Sequence, residues 1–140
     1  MKPFYHDNIM AKKFGGIPDD YSEINDFFDS SKSTLADVRH RAILHNTFGI
    51  YLAEKVFGRV ITNSDGKEVS VRDIAEEHVL QDLGFIPTVE HWLSNMSIKA
   101  WMGGQAKKNK TLSPESHEDF VVDGAMLYRK TLTMETKDAD

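Results

Sequence analysis

Cysteine is absent from the 140-residue chain. That excludes a disulfide framework and any thiolate zinc site, and leaves histidine, aspartate and glutamate as the strong metal ligands. No window approaches the ~20 consecutive apolar residues needed to cross a bilayer, and the segment from Met1 to Asp7 has no apolar signal region. We therefore expect a cytoplasmic protein that does not associate with membranes. Positive charge is also in short supply: 17 Lys and Arg stand against 22 Asp and Glu, a net charge of −5. Binding of nucleic acid by phosphate neutralisation needs clustered cations. The densest basic run, Lys107-Lys108-Asn109-Lys110, has no aromatic for base stacking, so nucleic acid is not an expected partner. There is no Walker glycine loop, no Gly-x-Ser-x-Gly elbow and no His-Glu-x-x-His, which removes the common NTPase, α/β-hydrolase and zinc-protease readings.

What is present suits one core. Hydrophobic residues make up 40% of the chain and aromatics 10%, enough for a single domain of this length, which we place at residues 1–133. The polar residues 134–140 read as a frayed tail. Gly15, Gly16 and Pro18 break the mixed N-terminal segment before a helix that starts at Asp19 or Asp20 and runs to about Asp29, with Ile24, Phe27 and Phe28 at helical spacing.

Residues 34–57 read as one helix, apolar nearly all round and ended by Gly58. It is the expected central and most buried element. Val60 to Val71 contains two β-rich runs around Asn63-Ser64-Asp65-Gly66, the pattern of a short hairpin. Ser70 followed by Asp73 resembles a capping box for a helix from Val71 to Leu83, stopped by Gly84. A further helix starts near Val89 and could continue to Trp101. Residues 113–128 are open between a helix and a hairpin, with the helix slightly favoured. The expected fold is mainly α: about five helices around a central helix, with one small β-hairpin.

The chemistry sits on segments that otherwise read as buried. His45 falls on the apolar face of the central helix, with Arg41 one turn before it and Asp37 one turn before that. On the next helix His78 and Asp82 stand at i and i+4 beside apolar neighbours. Buried polar groups must pair with one another, hold a metal or meet a ligand. The candidate metal ligands are His40, His45, His78 and Asp82, and the candidate anion contacts are Arg41 and Asp37. A divalent ion held by imidazole and carboxylate from separate elements would support hydrolysis, with Arg41 facing a phosphate or other anion. The same residues also fit a hydrogen-bonded core network or a metal-free ligand pocket.

The pattern Phe28-Asp29-Ser30-Ser31-Lys32, Asp37-Val38-Arg39-His40-Arg41-Ala42, His45, Gly49, residues 61–66, Glu77-His78 and Asp82-Leu83-Gly84-x-Ile86-Pro87 resembles an uncharacterised domain family of bacteriophage and bacterial genomes, over roughly residues 5–95. Its pattern of an early His, an Arg-His-Arg core, a later His, a turn and a Glu-x-His segment maps onto His6, Arg39-His40-Arg41, His45, residues 63–66 and His78. The resemblance implies a small accessory protein, phage-encoded and acting in the host cytoplasm, with no established activity. Two functions fit: a metal-dependent hydrolase of a phosphoester or nucleotide, or a non-catalytic binder of a small anionic ligand or of a host or defence protein. A purely structural role is the third.

Overall fold

The computed structural model describes residues 3–103. The chain divides into two compact units, residues 1–94 and 95–140. The expected helix or hairpin at 113–128 and the expected tail at 134–140 lie outside the described residues. Among the described residues the fold is mainly helical, with six α-helices and one two-stranded hairpin.

In the first unit α1 spans Pro3–Phe14, with proline at its first position, where no backbone N–H is needed. Sequence periodicity missed this helix because its inward positions carry His6 and Asp7, with Met10 the one fully buried apolar residue among the described side chains. A 3-10 turn, Pro18–Tyr21, leads into α2, Ser22–Asp29, which buries Ile24, Asn25, Phe28 and Asp29.

The expected continuous helix over 34–57 is two helices. Asp37 caps a 3-10 turn over Val38–His40, α3 covers only Arg41–Leu44, and α4 runs Thr47–Phe57. The break lies at His45 and Asn46, whose backbones leave the helical region. Asn46 holds it open: its Oδ1 accepts the Gly49 N–H at 2.8 Å and its Nδ2 donates to the Ala42 carbonyl at 2.9 Å. An N-cap that satisfies the new helix while sealing the old one outcompetes helical continuation. Gly49 is required there, because a Cβ would collide with the Leu44 carbonyl. Nor is this the most buried segment: Phe48, Tyr51 and Val56 of α4 are each about half exposed.

The hairpin forms as expected, with β1 at Val60–Thr62 and β2 at Glu68–Ser70 in antiparallel register, Ile61 opposite Val69. Asn63 Oδ1 accepts from the N–H groups of Asp65 and Lys67, and Gly66 takes the positive φ of 78° that the turn demands. The Asp20 carboxylate accepts from both the backbone and the hydroxyl of Ser64, pinning the turn to the loop that precedes α2.

Helix α5, Val71–Leu83, begins and ends where its signals put it: Ser70 Oγ accepts the Asp73 N–H, and Gly84 is left-handed. It buries Val71, Ile74, Ala75, His78 and Val79 and is the core element. Tyr21, Phe28, Met10 and Ile50 pack with it in one hydrophobic cluster. Helix α6 stops at Leu93 rather than Trp101; Val89 and Leu93 are well exposed, so little burial supports a longer helix.

Candidate metal centre

Three segments of the first unit converge on one polar cluster. Helix α2 brings Asp29 at its last residue, the break between α3 and α4 brings His45, and α5 brings His78 and Asp82 one turn apart. One donor atom from each of these four lies within 4.8 Å of all the others. His45 and His78 are fully buried, Asp29 nearly so, and the Asp82 side chain is 1% exposed.

The spacing is that of ligands around a common ion. Asp82 Oδ2 is 2.9 Å from His45 Nε2 and 3.4 Å from His78 Nε2; Asp29 Oδ1 is 3.8 Å and 3.7 Å from the same two nitrogens. Ligands bound at about 2.0–2.1 Å in a tetrahedron stand roughly 3.3 Å apart, and the four observed edges bracket that value. Two imidazoles and two carboxylates form a nitrogen–oxygen set suited to first-row divalent ions.

The ring of His78 is held for this role. Its Nδ1 is 2.8 Å from Asn25 Oδ1, and Asn25 Nδ2 donates to Asp7 Oδ1. Because the Asp7 carboxylate can only accept, the Asn25 amide is fixed with its oxygen toward His78, so His78 Nδ1 carries the proton and Nε2 is turned to the cluster. His78 Nε2, His45 Nδ1 and Asp29 Oδ2 are buried without a hydrogen-bond partner among the described residues. Such atoms each cost about 1–3 kcal/mol; of the three, His78 Nε2 is the one among the converging donor atoms, and a bound ion would satisfy it.

The electrostatics point the same way. Burial opposes charge on His78, yet the Asp29 and Asp82 carboxylates facing its Nε2 outweigh it and raise the imidazole above its ordinary value. Burial wins at His45 and pushes it down. At Asp82 burial is overcome by hydrogen bonds from His45, His6 and His78, which hold the carboxyl well below the usual range; Asp29 is lowered chiefly by His78 against its own burial. Both carboxylates are thus held ionised by the histidines that face them, a charge arrangement that a bound cation could share.

Arg41 stands at the rim, with Nη2 3.6 Å from Asp82 Oδ1 and its side chain 21% exposed. The other two residues named from the sequence lie elsewhere. His40 is buried against Ser31, its Nδ1 2.9 Å from Ser31 Oγ, and is outside the converging group of four. Asp37 is half exposed and caps the 3-10 turn, where it accepts from Arg39. The row Asp37, Arg41 and His45 does not form because the chain at Asp37 is extended rather than helical. Asp29 was missed. Its signal lay in α2, where the buried face 24, 25, 28 and 29 continues one step round from the apolar pair Ile24 and Phe28.

Fold and site together define a small helical domain with a buried His/Asp cluster that could hold a metal ion. Residues 1–102 match a family described as Domain of unknown function (DUF6915), and the chain belongs to that family. No curated protein and no solved structure matches the chain. No helix among the described residues is long and apolar enough to cross a membrane.

Proposed function

We propose that the domain is a metal-dependent hydrolase of a phosphoester or nucleotide, with a divalent ion held by Asp29, His45, His78 and Asp82 and with Arg41 as the anion contact. In keeping with the resemblance drawn from its sequence, we assign it to the host cytoplasm as a phage-type accessory protein. The observation that carries the reading is the position of Arg41. A guanidinium partly open to solvent stands beside the carboxylate that joins both histidines, where it can meet a phosphoryl group arriving from outside. A bound ion supplies Lewis acidity toward such a group. The Asn25 amide holds His78 through Nδ1, so that ligand is oriented before substrate arrives.

A second reading rests on the burial of all four donors. Structural metal sites are closed by four protein ligands, whereas catalytic ones keep a position open, so the ion, or the hydrogen-bonded network alone, can serve the fold and leave the surface to bind a small anion or a host protein. Metal analysis of natively purified protein, followed by assays on phosphomonoesters, phosphodiesters and nucleotides, decides between them. The hydrolase reading expects bound metal and turnover, with Arg41→Ala retaining the metal and losing activity. Full occupancy without turnover on any of these substrates overturns it in favour of the structural ion.

A further inference from the structure

His6 repeats the design of His78. It is fully buried on α1, and its Nδ1 is 2.7 Å from Gln81 Oε1. The orientation of that amide is set from the far side: Gln81 Nε2 donates to Glu77 Oε2 at 3.0 Å, and Lys13 donates to Glu77 Oε1 at 2.8 Å. The Lys13 ammonium can only donate, so it pairs with Glu77 as a carboxylate whose second oxygen accepts from Gln81. Gln81 therefore presents its oxygen to the ring, His6 Nδ1 bears a proton, and Nε2 is the atom turned toward Asp82. That Nε2 is buried with no hydrogen-bond partner among the described residues and stands 3.3 Å from Asp82 Oδ1. The two rings stack, with centroids 3.8 Å apart and planes 21° from parallel.

Both histidines thus commit Nδ1–H to an amide whose own N–H is committed to a carboxylate, and both turn Nε2 toward Asp82. A ring nitrogen facing a carboxylate at this distance is satisfied by a proton or by a metal ion lying between the two, and the ion takes the proton's place when it binds. His6 is not one of the four donors within 4.8 Å of one another and reaches the cluster through Asp82 Oδ1; we infer that it closes on the ion held by Asp29, His45, His78 and Asp82 as a fifth protein ligand, with Gln81, Glu77 and Lys13 positioning its ring. The inference rests on the proposed metal site and extends it from N2O2 to N3O2. A separate second ion beside Asp82 Oδ1 is disfavoured, because the Arg41 guanidinium already occupies that side at 3.6 Å. Five protein donors suit ions that accept five or six ligands and disfavour four-coordinate structural zinc.

The test uses cadmium-113 as a diamagnetic probe that accepts five or six ligands. In the full chain with nitrogen-15-labelled histidine, cadmium should split the Nε2 signals of His6, His45 and His78 and leave His40 and His91 unsplit. Calorimetric titration of His6→Ala should retain one ion per chain and weaken its binding at least about tenfold, the loss typical of perturbed ligand shells. Splitting at His45 and His78 without His6, or unchanged affinity in His6→Ala, overturns the fifth ligand and leaves the four-donor site standing. Absence of cadmium uptake by the wild type overturns both. The labelling measurement needs no variant, so it decides the matter even if His6→Ala fails to fold.

Discussion

An imidazole with one nitrogen tied to an amide oxygen has a single free lone pair, and the direction of that lone pair is set by residues that never touch the ion. Asn25 has this position behind His78, and Asp7 stands behind Asn25. Replacing Asn25 with Leu should therefore weaken divalent-metal binding about 10–100-fold, read by calorimetry, while the helical circular dichroism is retained. Equal affinity in the variant would show that His78 needs no such support. Proton competition follows from the same atom. The ordinary imidazole value of 6.5 is raised at His78 by Asp29 and Asp82 against burial. Without metal, the charged ring contributes stability that is fully present below about 6.5 and is lost as pH rises through the elevated value. A metal ion requires that proton to leave, so its affinity should climb over the same interval. Metal-free and metal-loaded protein should thus show opposite slopes of stability against pH in this interval, measured by urea denaturation. Parallel slopes would separate His78 from the ion.

At the scale of the element, most of what could be read from the sequence was read where apolar periodicity and punctuation coincide. The hairpin at 60–70 and α5 carry both signals: Asp65-Gly66 in the turn, Ser70 at the start and Gly84 at the end. His78 and Asp82 were legible for the same reason, lying on the inner face of an unmistakable helix. The rest was hidden where polar side chains replace apolar ones at buried positions. Helix α1 shows no apolar stripe because His6 and Asp7 occupy its inner face, and Asp29 sits at the end of α2 beyond the last apolar residue. The break at His45 was illegible for a different reason: Asn46 can either sit within a helix or cap one, and only the tertiary position of Gly49 against the Leu44 carbonyl decides. Gly49→Ala should cost about 1–3 kcal/mol, the range for overpacking at a tight contact, although alanine is intrinsically the better helix former. Phe48→Ala, on a half-exposed side chain, should cost well under the 3–5 kcal/mol of a buried phenylalanine such as Phe28. Urea denaturation checks the order; a stabilised Gly49→Ala would mean that α3 and α4 merge in solution.

Across the first unit, the cluster joins segments that local sequence cannot hold together. Asp29, His45 and the pair His78 and Asp82 come from α2, the α3–α4 break and α5, and hydrophobic packing of Phe28 against His45 and His78 surrounds them. Two buried carboxylates facing imidazoles form a weak stabiliser by themselves, because their desolvation offsets much of the attraction. An ion that binds the folded chain and not the unfolded one adds RT ln(1 + [L]/Kd), about 2.7 kcal/mol at a free concentration of 100 Kd. Divalent metal should therefore raise the melting temperature of the whole first unit in one transition, and a chelator should reverse it. His78→Ala should abolish this increment, since it removes a ligand from the centre of the set, whereas Asp37→Ala should leave it intact because Asp37 lies on the surface with Arg39. Differential scanning calorimetry of the three proteins, with and without metal, makes the comparison. An increment that survives in His78→Ala would place the ion elsewhere on the chain, and loss of the increment in Asp37→Ala would return that surface residue to the site.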